Sequence, residues 1–239
     1  MVPLSFPLLI LLSLSLVTPL TDSTLIAVCT SDAVLFSAPE SLRMGSVMLT
    51  HSYPTIHQLH PDSSFLLAIE GDPSDCNEVL NSLRRVNNQH RLQFNADLSL
   101  RSLATHCARL LHSRLREAQP LQCKVLLGGV DMYHSKSPEL YWVDEIGALQ
   151  SVRYGVHGKE MPLIISLLDA SNRQHSLQKM SLEEGAEILT NCWRGVRRRT
   201  SGNVENISIR FARAKDCGSI QANLAAIASS SLPTSSSAT

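Results

Sequence analysis

Residues 125–130 (VLLGGV) are apolar or glycine at every position, a pattern that suits a strand covered on both faces and predicts one in the middle of a sheet. A polar loop, 134–138, leads into a second apolar and aromatic run, Leu140-Tyr141-Trp142-Val143, and residues 144–147 carry the next turn signal. A short return past Val152 reaches Tyr154-Gly155-Val156-His157-Gly158, where two glycines permit a sharp bend or a close backbone approach. A helix is predicted over 161–168. The stretch 124–169 therefore reads as an antiparallel meander running into a helix, and the rest of the chain is organised around it.

Two more apolar runs, 24–29 (TLIAVC) and 33–37 (AVLFS), are separated by Thr30-Ser31-Asp32, a break short enough for a hairpin. Residues 39–45 read as a loop, 47–50 and 56–59 as short strands, and 65–69 (FLLAI) as another strand buried on both faces. After Gly71-Asp72-Pro73 the apolar period changes from two to about 3.6, with Asp72 as cap and Pro73 in the first turn of a helix. A second helix runs from Ser99 to before Pro120, with Leu100, Leu103, Ala104, Cys107, Leu110, Leu111 and Leu115 on its apolar stripe. Ser181-Leu182-Glu183-Glu184 is a capping box that opens a helix facing Leu182, Ala186, Leu189, Trp193 and Val196 inward, and 207–212 is the last predicted strand. Strands segregated from helices indicate an α+β fold. Strands apolar on both sides place each sheet against the other sheet on one face and against helices on its outer face, so a four-layer α/β/β/α sandwich of two stacked antiparallel sheets is expected.

Composition narrows the function classes. Lys plus Arg and Asp plus Glu are both 21 in 239 residues, which argues against nucleic acid or a charged membrane surface as a broad electrostatic partner. The run Arg197-Arg198-Arg199 ends a predicted helix, where cations suit the macrodipole. Cys29, Cys76, Cys107, Cys123, Cys192 and Cys217 form no CxxC pair, and their apolar neighbours indicate buried thiols in a reducing compartment. His57 and His60 have no cysteine or carboxylate cluster beside them, so solvent-facing histidines are expected there and no metal or other cofactor. Residues 1–22 read as an apolar leader or propeptide: the run 8–17 is short for a bilayer, and no Lys or Arg precedes it. One domain is expected over 23–220, then a Ser-rich disordered tail over 221–239.

The ordered series of motifs resembles the proteasome β-type subunits, which have the N-terminal nucleophile hydrolase fold. It comprises the hairpin TLIAVCTSDAVLFSA, Ile56-His57-Gln58-Leu59, Gly71 with Asp75-Cys76, the Leu-Leu-Gly-Gly-Val-Asp strand and Pro138 to Asp144, and it spans residues 23–217. Tyr154 to Gly158 and Ser166 to Asp169 look most like the fourth β-type subunit (also called β type-2), a non-catalytic member. Active members use an N-terminal threonine as nucleophile, its own α-amine as base, and a nearby lysine oriented by an aspartate. The resemblance puts the nucleophile position at Ser23, the aspartate position at Pro39, the following arginine position at Ser41 and the lysine position at Thr55. The supporting serine falls at or near His157, a supporting aspartate at or near Arg198, and only Ser201 keeps the expected type. Asp22 precedes Ser23 where self-processing members have glycine.

What the resemblance implies is a non-catalytic subunit of the 20S core particle in the cytoplasm and nucleus. Its partners would be other β subunits in a heptameric ring, the α ring and the opposite β ring, enclosing the chamber for ATP- and ubiquitin-dependent degradation. Two alternatives stand beside it: a serine-type N-terminal hydrolase using Ser23 after leader removal, and a secreted, disulfide-containing binding protein motivated by the run 8–17, the even cysteine count and the Asn206-Ile207-Ser208 acceptor.

Overall fold

The computed structural model describes residues 23–44, 47–132, 135–174, 176–199, 207–214 and 216–221. The expected leader, the tail beyond Gln221, Ser201 and Asn206 lie outside the described residues. Two five-stranded antiparallel sheets form the centre. One has the order β10-β1-β2-β11-β12, from strands β1 (Leu25–Cys29), β2 (Ala33–Pro39), β10 (Tyr154–His157), β11 (Ile207–Arg213) and β12 (Asp216–Gln221). The other has the order β5-β6-β7-β8-β9, from β5 (Ile56–Gln58), β6 (Phe65–Gly71), β7 (Cys123–Val130), β8 (Pro138–Val143) and β9 (Leu149–Ser151). The run over 125–130 is thus the middle strand of its sheet.

Strand alternation assigns side chains to three separate cores and accounts for the uninterrupted apolar runs. In β6, Phe65, Leu67 and Ile69 face helices α1 (Pro73–Phe94) and α2 (Leu100–Arg116), while Leu66 and Ala68 face the other sheet. In β1, Ile26 and Val28 face α3 (Met161–Gln174) and α4 (Leu182–Arg199), while Leu25 and Ala27 point between the sheets. Three cores between four layers are the expected α/β/β/α sandwich.

Local signals place the helix ends. Asp72 Oδ1 accepts from Ser74 N at 2.9 Å with Pro73 in the first turn of α1, and α1 ends at Asn95 in the left-handed conformation (φ 51°). Ser99 Oγ caps α2 through Ser102 N at 3.3 Å. The capping box of α4 is reciprocal, with Ser181 N donating to Glu184 Oε2 at 2.8 Å and Glu184 N to Ser181 Oγ at 3.3 Å.

Several expectations need correction. Residues 39–45 are not a plain loop: β3 (Leu42–Met44) pairs with β4 (Val47–Thr50) as a separate ribbon. The meander ends at β9. Tyr154 to His157 crosses to pair with β1 in the other sheet, because Cys29 N donates to the Arg153 carbonyl at 2.7 Å and draws the chain across. Helix α3 continues to Gln174, well past Leu168. Ile207 to Ala212 does not close the fold, since β12 pairs along β11; its Gly218 and Ser219 carry little strand preference, and the partner strand supplies the pairing. Leu115 lies 39% exposed at the end of α2, off the buried stripe.

Candidate functional site

The positions assigned around Ser23 converge at one end of the sandwich. Ser23 and Thr24, both buried, lead into β1, and the turn after β10 presses on them: a Cβ at Gly158 would lie 2.3 Å from the Ser23 carbonyl oxygen. Gly158 has φ +105°, a conformation open to glycine. Pro39 ends β2 at the same end, where it pairs with Ile207, and Thr55 lies beneath it. The Thr55 hydroxyl donates to the Pro39 carbonyl at 3.2 Å, and the Thr55 carbonyl accepts from Ile69 N at 3.2 Å. A neutral hydrogen bond therefore joins the two positions that hold an aspartate and a lysine in the active pattern. Ser41 is buried just beyond.

His157 also reaches this end, two residues from Gly155 and paired with Leu25, but its ring turns into the layer between the sheets. There it stacks on Trp142 (centroids 5.0 Å apart), and Nε2 donates to the Val125 carbonyl at 3.4 Å. Burial pushes its pKa down from 6.5 to about 4, so the imidazole is neutral and structural at pH 7. Arg198 sits exposed in the last turn of α4. The structure thus brings Ser23, Pro39, Ser41, Thr55 and a neutral His157 to one region of the fold.

The His157 environment makes stability depend on pH. The unfolded chain takes up this proton near 6.5 while the folded chain resists until about 4, so the unfolded state binds more protons between those values. Stability is expected to fall by up to about 3 kcal/mol as the pH drops through that window, since every tenfold weakening of proton binding by folding is worth ~1.4 kcal/mol. Chemical unfolding of wild type and His157→Gln from neutral pH to about 4 checks this, the variant losing part of the slope. His57 adds to the same window. It is half-buried rather than solvent-facing, and burial, then Arg84 and Arg210, lowers it to about 4. His60 engages Asp62, whose backbone N–H donates to its Nδ1 at 3.2 Å.

Sequence reasoning missed a buried link beside the site. Trp193 Nε1 donates to Ser37 Oγ at 2.7 Å, and Ser37 Oγ donates to the Ser208 carbonyl at 3.3 Å, tying α4 to β2 and β11. Its only sequence signal was Trp193 on the apolar stripe of α4. A cavity of about 680 Å³ opens at the opposite end of the sandwich, lined by Gln58, Ser63, Arg91, Asp97 and Cys217 among others, and contains none of the assigned positions. All six cysteines are free thiols. Among the described residues, no three His, Cys, Asp or Glu side chains gather as a metal site, and no helix is long and apolar enough to cross a membrane.

Comparison with known proteins agrees with the fold and the order of its motifs. Residues 21–212 match the family described as proteasome subunit. The chain is 25% identical over 180 residues to proteasome subunit beta type-4 of Saccharomyces cerevisiae, covering 75% of this chain and 87% of that protein. It is 22% identical over 187 residues to proteasome subunit beta of Methanopyrus kandleri, covering 78% and 85% of the two chains. Proteasome subunit beta 2 of Nitrosopumilus maritimus is 23% identical over 187 residues, covering 78% and 84%. With the family matched over most of its length and the two stacked sheets of the N-terminal nucleophile hydrolase sandwich in place, the chain belongs to the proteasome subunit family, among its β-type members.

Proposed function

We propose that this β subunit of the 20S core is non-catalytic and serves as part of the wall of a seven-membered β ring, flanked by other β subunits, the α ring and the opposite β ring, in the cytoplasm and nucleus. The observation that carries this reading is the Thr55 hydroxyl bonded to the Pro39 carbonyl where an active site needs an ion pair. Ser23 keeps a hydroxyl, but a serine is a weak nucleophile without an adjacent base, and the position of the stabilising lysine is held by the neutral Thr55. Asp22 in place of glycine at the processing position further argues against release of the α-amine. The wall role lies within ATP- and ubiquitin-dependent degradation, with neighbouring subunits cutting.

The test is a native particle carrying Ser23→Ala in this chain. Its peptidase activities are expected to match those of wild type, and mass spectrometry of the native chain is expected to find residues before Ser23. A peptidase activity lost with Ser23→Ala, from a chain beginning at Ser23, overturns the proposal in favour of a serine-type hydrolase.

A further inference from the structure

One element of the fold belongs to neither five-stranded sheet. Among the described residues β3 and β4 pair only with each other, as a two-stranded ribbon. Its base is closed by Tyr53 N, which donates to the Glu40 carbonyl at 2.7 Å, next to the Thr55–Pro39 bond. Ile26 lies opposite Ser37 in the β1–β2 pair, and continuing that register sets Ser23 opposite Glu40. The described residues therefore start at the foot of the ribbon.

The open side of the ribbon is apolar. Met48 and Thr50 are half-buried, while Val47 and Leu49, on the other side of β4, are 55% and 51% exposed. A two-stranded ribbon is marginally stable in water, and large apolar side chains left on its open side do nothing to hold it until something covers them.

The segment that leads into this foot carries matching chemistry. Residues 1–21 hold no Asp, Glu, Lys or Arg, and Leu12-Ser13-Leu14-Ser15-Leu16 alternates apolar and polar with the period of a strand, so that pattern puts leucine on one side and serine on the other. A bilayer core needs a longer run that is apolar all round. Fully extended, residues 17–22 reach about 20 Å. The four residues of β4 span only about 13 Å. Leu12 to Leu16 is thus within reach of the whole of β4. A segment tethered at that distance is present at the ribbon at an effective concentration on the order of millimolar, well ahead of a partner free in solution.

We propose that the leader folds back on its own subunit, with Leu12, Leu14 and Leu16 covering Val47 and Leu49 on the open side of the β3–β4 ribbon and Ser13 and Ser15 facing water. This rests on the Asp22–Ser23 bond staying intact, as the non-catalytic reading holds, and adds the surface that the retained leader occupies.

The experiment takes the full chain, tagged at its C-terminus, from its own cells in the assembly that carries it. It is prepared as wild type, as Leu12→Ser/Leu14→Ser/Leu16→Ser and as Val47→Ser/Leu49→Ser. Mass spectrometry of the intact chain reads the N-terminus, and hydrogen exchange reads residues 8–17 and 42–50. Both segments are expected to exchange slowly in wild type. The leader variant is expected to exchange at least ~10-fold faster across 42–50, and the ribbon variant faster by a similar factor across 8–17. That reciprocity marks a contact, since a change confined to the ribbon would leave the leader unmoved. Exchange in β1, β6 and β7 is expected to match wild type, because the substituted positions lie outside the three cores. If the triple variant fails to accumulate, Leu14→Ser takes its place, with a smaller rise across 42–50 expected. A chain that begins at Ser23 overturns the retained leader and this docking with it. A leader that is present but exchanges freely overturns the docking alone. Slow exchange over 8–17 that persists in the ribbon variant puts the leader on another surface and likewise overturns it.

Discussion

Gly158→Ala is expected to be among the most damaging single substitutions in the chain, lowering stability by more than ~3 kcal/mol. Two costs add. The backbone at φ +105° is one that L-residues rarely adopt, and the new Cβ would sit 2.3 Å from the Ser23 carbonyl oxygen and 2.7 Å from Thr24 Cα. Both contacts are with main chain, so no side-chain rotation relieves them. Either the start of β1 moves or the turn after β10 does. Gly155→Ala is the control. Its nearest atom is the Leu126 Cδ2 methyl at 2.8 Å, at the end of a flexible side chain, and its φ lies outside the range closed to other residues. A smaller loss is expected there. Urea unfolding of both variants measures the difference, and a Gly158→Ala chain as stable as Gly155→Ala would show that the turn yields freely.

Phe36→Ala is expected to cost about 3–5 kcal/mol, the range for emptying an aromatic site in a close-packed core. Phe36 is fully buried in the layer between the sheets. Its ring approaches β7 where Gly128 leaves space: a Cβ on that glycine would lie 3.0 Å from Phe36 Cζ. The ring therefore fills a gap that the facing strand was built without side chain to receive. Rigid strands on both sides limit collapse into the cavity, which puts the expected loss toward the upper part of the range. Phe36→Leu keeps most of the volume and is expected to lose less than half as much. Thermal unfolding of the two variants beside wild type reads the contrast, and equal losses would mean that shape, rather than volume, governs this layer.

Much of the candidate site was legible in the chain because it depends on residue identity. Pro39 and Thr55 cannot carry charge wherever the fold puts them, so the lack of an ionic pair follows from the sequence. That the two positions touch, and that Thr55 satisfies its hydroxyl on the Pro39 carbonyl, follows only from bringing together segments sixteen residues apart. His157 shows the opposite limit. Its neighbours Gly155 and Gly158 signalled a tight approach, but nothing local indicated that the ring would turn inward, stack on Trp142 and lose its charge. The Trp193–Ser37 bond spans 156 positions and had no local sign beyond a tryptophan on an apolar stripe.

The sequence alone determined the main strands and helices and where the helices start, but not the strands Leu42–Met44 and Asp216–Gln221, and it showed that the main strands are apolar on both sides. Those properties arise from side-chain period and from caps that bond backbone groups within a few residues. Tertiary structure decided which sheet each strand joins. Tyr154 to His157 left the meander for β1, and Asp216 to Gln221 became a strand along β11. Strand pairing is settled by backbone hydrogen bonds and packing between distant segments, and an apolar run of itself carries no address for its partner.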